Sequence, residues 1–332
     1  MCNVFVVQRL HSCGLMPTAA TPRQFALDNL KLVRQHWAGV LDADVESIHQ
    51  ARIALRRIRA ALQVLYGSDS DEIELCRSLG RALGRVRDLD VMQELFAGVA
   101  TRLPAAASAI AAIGRNVDHD RQRERRRLIK TLDEVELRPI ARLGRRRPLT
   151  RLKFWKDWHA ALMADIAART RTLRSAADAA PAVYMPNRLH RVRIALKKLR
   201  YTLEVADAAG ASIDRHLMRD ARKAQDLLGR LHDLQGAHRI VRRFDGSSRG
   251  ITAEARLLDA IVTSDTAALH AKYVARRDRV RAICDYCADL AAPRPVARAA
   301  RLVLRAIPAA SVAVLPVAVW RLGMAGPEGS RA

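Results

Sequence analysis

A short basic segment occurs twice in this 332-residue chain, and its two copies constrain the fold more than any other feature. The first copy covers residues 49–59 and the second covers residues 190–200, and both read H-x-x-R-I-A-L-[RK]-[RK]-[IL]-R. At about 100° per residue, the histidine and three later basic residues of each copy share one helical face, beside an apolar face. Each copy therefore predicts a helix that packs on a core and presents a row of cations. The residues of the two rows and their immediate neighbours are His49, Arg52, Arg56, Arg57, Arg59, His190, Arg193, Lys197, Lys198, Arg200 and Tyr201.

The composition predicts that the rest of the chain is also helical. Half of the residues are hydrophobic, only 4% are aromatic, and alternating runs of β-branched residues are nearly absent. Ala, Leu and Arg, which are strong helix formers, dominate. We therefore predict an all-α fold.

Further matches extend the repeat beyond the basic segment. Residues 30–34 match residues 152–156, and an L-G-x-x-x-D element at 83–88 recurs at 228–233, in the same order along the chain. Ordered matches of this kind indicate duplicated structural units. We predict two related four-helix units, a first repeat over residues 21–146 and a second over 147–291.

The two ends of the chain have a different character. Residues 1–20 have a short apolar start without the pattern of a signal peptide, and we expect translation to start at Met16. Residues 292–332 form an Ala/Val-rich tail whose uncharged run, 306–320, is shorter than the ~20 residues that span a bilayer. This tail either is disordered or packs on the bundle, or it adheres to a hydrophobic surface or partner.

The charge balance points to an anionic partner. The chain has 58 Lys and Arg against 34 Asp and Glu, a formal net charge of +24. Nucleic acid, an anionic membrane and an inorganic polyanion are the candidates. The five cysteines are an odd number without a disulfide-like rhythm, which predicts a reduced, cytoplasmic setting. Cys284 and Cys287 are expected to be two thiols on one helix and not a zinc site.

The basic rows favour closely spaced phosphates among these partners. Acidic residues four positions away, which accompany most solvated charged faces, are scarce along both rows. A mixture of Arg and Lys suits phosphate oxygens. The sequence shows no helix-turn-helix or zinc-finger pattern, so sequence-specific DNA binding is not expected. Non-specific nucleic-acid binding stays open. A metal ion between His49 and His190 is not expected, because the surrounding cationic side chains repel it. The sequence contains no catalytic motif, so neither an enzymatic activity nor a cofactor is predicted.

The doubled motif resembles that of the CHAD family, the conserved histidine α-helical domain, over about residues 21–290. The resemblance implies two four-helix bundles related by pseudo-two-fold symmetry, with a basic central groove or pore. It also implies binding of inorganic polyphosphate and, in some members, association with polyphosphate granules. Some members carry a CYTH triphosphatase domain, which this sequence lacks, so no hydrolase activity is expected.

Basic residues on the helix that carries each L-G-x-x-x-D element extend the predicted site. They share a face with Asp88 or hold comparable positions before Asp233, and we expect both aspartates to orient basic side chains. The added residues are Arg81, Arg85, Arg222, Lys223 and Arg230. The expected function is non-enzymatic polyphosphate binding in the cytoplasm, on granules. The alternatives are a granule- or membrane-surface protein that uses the tail, and a non-specific nucleic-acid binder.

Overall fold

All regular structure in the described part of the chain is helical. The computed structural model describes residues 21–67, 69–133, 151–244 and 249–292, which contain ten α-helices, one 3-10 turn and no strand. The prediction of an all-α fold is confirmed. The helices are α1 (Pro22–Gln35), α2 (Trp37–Leu41), α3 (Val45–Tyr66), α4 (Asp71–Ala100), α5 (Ala107–Asp133), α6 (Arg151–Asp178), α7 (Pro186–Ala208), α8 (Arg215–Arg243), α9 (Arg249–Val274) and α10 (Arg277–Ala291), with the 3-10 turn at Pro104–Ala106.

Side-chain caps fix where several helices begin. The Thr21 hydroxyl accepts a hydrogen bond from the Gln24 backbone N–H at 3.1 Å, ahead of Pro22 in the first turn of α1. The Asp44 carboxylate accepts from the Ser47 N–H at 2.8 Å and starts α3. Such caps satisfy backbone donors that have no partner within the helix.

Two predicted helices are interrupted. The segment that we expected to be helical up to about Leu41 breaks at His36, where the backbone turns with φ −89 and ψ 0. This break allows α2 to approach α3 so closely that a Cβ on Gly39 would overlap the Ser47 side chain. The predicted final helix, 252–291, breaks between Val274 and Arg277.

The apolar faces of the two motif helices form the core as predicted. Ile48, Leu55 and Ile58 of α3 are at most 1% exposed. On α7 the equivalent positions are also buried, and Leu196 and Leu199 are fully inaccessible. Complete burial of a Leu or Ile side chain contributes about 1.5–3 kcal/mol, so this face determines which side of each helix points inward.

Helix packing links the two halves of the chain. Within the first half α3 packs on α1 and α4, and α4 packs on α5; within the second half α7 packs on α6 and α8, and α8 packs on α9. Across the halves, α3 packs on α7, α4 on α8, and α5 on α9. The described residues up to Leu290 form one compact unit.

The predictions for residues 1–20 and 293–332 lie outside the described residues. Within the described ranges no helix is long and apolar enough to cross a membrane.

Candidate polyanion-binding site

The packing of α3 on α7 brings the two basic rows together. Burial is the largest cause that lowers the pKa of Lys197, to about 7, and the charges of guanidinium groups on both helices lower it further. The same two helices also contribute Arg56, Arg59 and Lys198 to the lining of one cavity. We call these five cations the shared cluster, and its members are Arg52, Arg56 and Arg59 from α3 with Arg193 and Lys197 from α7.

Most of the shared cluster has no acidic partner. Within the described residues, Arg56, Arg59 and Lys197 form no salt bridge and no side-chain hydrogen bond, and the same holds for Arg193. Burial, followed by neighbouring guanidinium groups, lowers the pKa of Arg59. Asp88 and Asp233 offset only part of the positive charge of the cluster, and an anionic ligand can compensate the rest.

The first L-G-x-x-x-D element orients one member of the cluster. Arg52 donates from one guanidinium nitrogen to the Gly84 carbonyl at 2.8 Å and to the Asp88 carboxylate at 3.2 Å. Asp88 remains 76% exposed, so it holds Arg52 from the solvent side. In the second element the Asp233 carboxylate acts on Arg193 through its charge, without a salt bridge. Burial raises the pKa of Asp233 to about 6.

A cavity of 230 Å³ adjoins the shared cluster and carries further cations. Its basic lining comes from four helices of both halves, and consists of Arg56, Arg59, Arg77, Arg169 and Lys198. Sequence reasoning missed Arg77 and Arg169. Arg77 lies one helical turn before the predicted Arg81, which is a signal that could have found it. Arg169 has no such signal, because it reaches the site through a 3.0 Å hydrogen bond to Gln63, which is distant in sequence.

Arg57 and Arg200 are placed differently from the shared cluster. Arg57 donates from Nε to Glu204 at 2.9 Å, and Arg200 forms an ion pair with the other oxygen of the same carboxylate. Arg200 also donates to Gln225 at 2.8 Å and its guanidinium carbon lies 4.3 Å from the ring centre of Tyr201. Arg200 and Tyr201 are buried, and the hydrogen bond from Arg57 to Glu204 joins α3 to α7.

The residues predicted from the neighbouring helices spread over other surfaces. Arg81 pairs with Glu74 and Arg85 pairs with Glu124, each at 2.9 Å. A 510 Å³ cavity on the Arg57 side of α3 contains Arg222, and a 640 Å³ cavity contains Arg230. Lys223 is exposed on α8. The structure therefore does not bring these five residues into the shared cluster.

The surroundings of both motif histidines lower their pKa values and so favour the neutral imidazole. Burial lowers the pKa of His49 and then the nearby charge of Arg87 lowers it further. Burial also lowers the pKa of His190, together with Arg193 and Lys197. The His190 ring lies 5.1 Å from that of His232. A neutral imidazole donates one hydrogen bond, so each histidine offers a phosphate a donor without a charge.

The described residues contain no group of three or more His, Cys, Asp or Glu side chains that is able to hold a metal ion. Cys284 and Cys287 lie buried on α10, and burial raises the pKa of the two thiols to about 11 and about 12. They therefore remain protonated at neutral pH, as thiols packed in a core do.

The comparison with protein families decides the identity of the fold. The sequence model of the CHAD domain matches residues 24–242. This chain belongs to the CHAD domain family. The CHAD domain is generally a non-catalytic binding domain.

Two solved structures have a similar fold. One is the crystal structure of the CHAD domain from the plant Ricinus communis, with a TM-score of 0.50 and 21% identity, covering 81% of this chain and 93% of that one. The other is PptA from Streptomyces chartreusis, with a TM-score of 0.54 and 20% identity, covering 82% of this chain and 96% of that one. No curated protein matches the sequence.

Proposed function

We propose that this CHAD protein binds inorganic polyphosphate, without catalysis, in a groove lined by both helical repeats. The observation that carries the proposal is the shared cluster, in which cations of both motif copies meet and, among the described residues, only Arg52 forms a salt bridge. Polyphosphate presents closely spaced negative charges along one chain, and several adjacent cations neutralise them together. Arg contributes paired donors to phosphate oxygens and Lys contributes a point charge.

The packing of equivalent helices supports the two-fold arrangement that such a groove requires. Three helix pairs that pack across the halves join counterparts: α3 on α7, α4 on α8, and α5 on α9. Two further contacts are reciprocal, since α1 packs on α7 and its counterpart α6 packs on α3, and the 3-10 turn also packs on α9. A two-fold axis produces this self-complementary pattern. We infer two four-helix repeats, 21–146 and 147–291, that are related by a pseudo-two-fold axis between α3 and α7.

The surroundings of the cluster favour polyphosphate over nucleic acid. Proteins that bind single strands usually provide aromatic side chains on which bases stack. Tyr201, the aromatic residue next to the second row, is only 5% exposed and lies under Arg200. The site thus offers positive charge and hydrogen-bond donors for phosphate oxygens. These suit a polyanion that carries no bases.

We assign the predicted residues to three roles in this site. The shared cluster and the cavity residues Lys198, Arg77 and Arg169 contact the polyphosphate, with His49 and His190 as neutral donors at either end. Arg57, Arg200 and Tyr201 hold the two repeats in register. The third group extends the binding path over the outer surface, and consists of Arg81, Arg85, Arg222, Lys223 and Arg230.

We further propose a reducing, cytoplasmic location, on polyphosphate granules. The buried, unpaired thiols of Cys76, Cys284 and Cys287 support a reducing compartment. Residues 293–332 are the candidate for attachment to the granule or to another surface. Deletion of this tail should abolish granule association and leave polyphosphate binding intact. Loss of polyphosphate binding on deletion would instead make the tail part of the binding site.

A competition titration tests the function. Long-chain polyphosphate, RNA and duplex DNA are compared at equal phosphate concentration and fixed ionic strength, and polyphosphate should bind most tightly. The double variant Arg56→Ala, Arg59→Ala should weaken polyphosphate binding at least about tenfold, because counterion release is lost with each cation. The matched control is the double variant Arg115→Ala, Arg126→Ala at two exposed positions of α5, which removes the same number of charges and should change affinity less than about twofold.

Two results of this titration would overturn the proposal. Equal losses in the double variant and the control would show that binding depends on diffuse charge and not on a formed site. Displacement of polyphosphate by RNA or DNA at equal phosphate concentration would identify nucleic acid as the partner.

A further inference from the structure

The two motif copies differ at the centre of the shared cluster. The position that is Arg56 in the first copy is Lys197 in the second, and Arg56 is the charged neighbour with the strongest effect on Lys197. The other members of the cluster are arginines. A guanidinium group does not lose its proton in proteins, whereas a lysine ammonium group does so when it is buried among like charges.

The packing of the motif helices places Lys197 among cations. Helix α7 packs directly on α3, and Lys197 is partly buried. The next residue, Lys198, lines one cavity with Arg56 and Arg59 of α3. Arg52, Arg56 and Arg59 of α3 act on its charge, as does Arg193 one turn earlier on its own helix. Lys197 has no carboxylate within salt-bridge distance among the described residues.

A second layer of titratable and charged groups surrounds the cluster. Around Arg193 lie Asp88 from α4 and Asp233 from α8, and His232 of α8 contacts His190. Arg87 lies beside His49, and Arg169 of α6 acts on Arg59.

Loss of one proton is the simplest way for this unliganded cluster to reduce its self-repulsion. Lys197 is its only member with that option, and burial together with the four guanidinium groups brings its pKa to about 7. At pH 8 the amine is therefore largely neutral in the unliganded protein. A polyanion bound against the same cluster raises the pKa of Lys197, because neighbouring negative charge favours the ammonium form.

We propose that Lys197 takes up a proton when inorganic polyphosphate binds, so that this one residue couples polyphosphate affinity to pH. The inference rests on the proposed function and adds a role for a single side chain within that site. The proton comes from the solvent or buffer and stays on Nζ, where the ammonium group then contacts phosphate oxygens. Release of polyphosphate returns the proton.

The sign and the pH range follow from proton linkage. Where binding takes up one proton, affinity falls about tenfold for each unit of pH increase. The range begins near the pKa of unliganded Lys197, about 7, and extends upward to its raised value in the complex. The histidines around the site, with pKa values lowered from 6.5, and Asp233, at about 6, titrate below this range. The difference between the wild type and a Lys197 variant between pH 7.5 and 9 therefore reports on Lys197, because any proton uptake by the histidines is common to both proteins.

Calorimetry of the full-length protein tests the proposal. Long-chain polyphosphate is titrated at pH 8 in buffers of different ionisation enthalpy, and the slope of the observed heat gives the protons taken up. The wild type should take up about one proton per protein more than Lys197→Arg, which should bind with similar or higher affinity and take up close to none. Lys130→Arg is the matched control, because Lys130 is exposed on α5 outside the assigned site, and its uptake should equal that of the wild type.

The outcomes separate this inference from the proposed function. Wild-type binding without proton uptake, or equal uptake in Lys197→Arg, would overturn the role of Lys197 and leave polyphosphate binding intact. Absence of wild-type binding at any pH would overturn the proposed function itself. If Lys197→Arg does not fold, the pH dependence of wild-type affinity between pH 7.5 and 9 decides: a tenfold fall per unit supports the inference and a flat profile contradicts it.

Discussion

The two copies of the basic motif form the same kind of helix but use their last arginine differently. Arg59, at the end of the first copy, lines a cavity and has no acidic partner among the described residues. Arg200, its equivalent in the second copy, is 8% exposed and is paired with Glu204 and Gln225. One turn further along, the first copy has Gln63 where the second has Glu204. The presence of a single carboxylate therefore distinguishes the paired arginine from the cavity-lining one.

Glu204 also joins the two copies to each other. One of its oxygens pairs with Arg200 on its own helix, and the other accepts a hydrogen bond from Arg57 of the first copy at 2.9 Å. Gln63 also joins the two halves, but it accepts its hydrogen bond from Arg169 of α6 and does not connect α3 to α7. The second copy thus supplies the tie between α3 and α7, and the first copy supplies most of the shared cluster.

The largest expected effect comes from breaking this tie. Glu204→Ala leaves the guanidinium of Arg200 buried without a carboxylate, and removal of one partner of a buried pair costs about 3–5 kcal/mol. We expect a decrease of that size in the free energy of unfolding, measured by denaturant titration. The matched control is Glu94→Ala, which breaks an ion pair with Arg87 in which Glu94 is 60% exposed. That loss should be below about 1 kcal/mol; equal losses in the two variants would contradict the structural role of Glu204.

The aspartates of the two L-G-x-x-x-D elements should have opposite effects on stability. Asp233 has a pKa of about 6 in the folded protein, against an ordinary value of 3.8, because burial disfavours its charge. The folded state therefore binds more protons between pH 4 and 6, and Asp233 lowers the free energy of unfolding as pH rises through that range. We expect Asp233→Asn to be more stable than wild type by about 1–3 kcal/mol at pH 8 and unchanged at pH 4.

Asp88→Asn is the counterpart in the first copy. Asp88 is 76% exposed and holds Arg52 at 3.2 Å, so its replacement should lower stability by less than about 1 kcal/mol at pH 8. Denaturant titrations of both variants at pH 4 and pH 8 give the comparison. Destabilisation by Asp233→Asn at pH 8 would show that its carboxylate is compensated by Arg193.

The smallest expected effect distinguishes the two glycines of the same elements. A Cβ on Gly229 meets no atom within 4 Å, so Gly229→Ala should stabilise α8 by about 0.5–1 kcal/mol through reduced chain entropy. A Cβ on Gly84 would lie 3.4 Å from the Arg52 guanidinium, which approaches the helix there to reach the Gly84 carbonyl. Thermal unfolding should show a smaller gain, or none, for Gly84→Ala. Equal gains would mean that Arg52 does not approach α4 closely in solution.

The sequence alone was sufficient for the helices and for their inward faces. The predicted helix from Val45 to Tyr66 has those bounds in the structure, because Asp44 caps its start and Gly67, with φ 77, ends it. The apolar face beside the first basic row is buried as the 3.6-residue period requires. The duplicated motif is also sufficient to indicate the CHAD family, which the family comparison confirms. Capping, periodicity and repetition are local properties, so the sequence determines them directly.

Only the tertiary structure decided which cations remain without partners. Arg56 and Arg57 are adjacent and lie about 100° apart on α3, yet one joins the shared cluster and the other pairs with Glu204. Arg85 is paired with Glu124 of α5, and Arg169 enters the cavity from α6. Helical spacing places a side chain on a face but does not specify the helix opposite it. The free energy of an arginine depends on the charges that the fold brings within a few ångströms, and these come from distant parts of the chain.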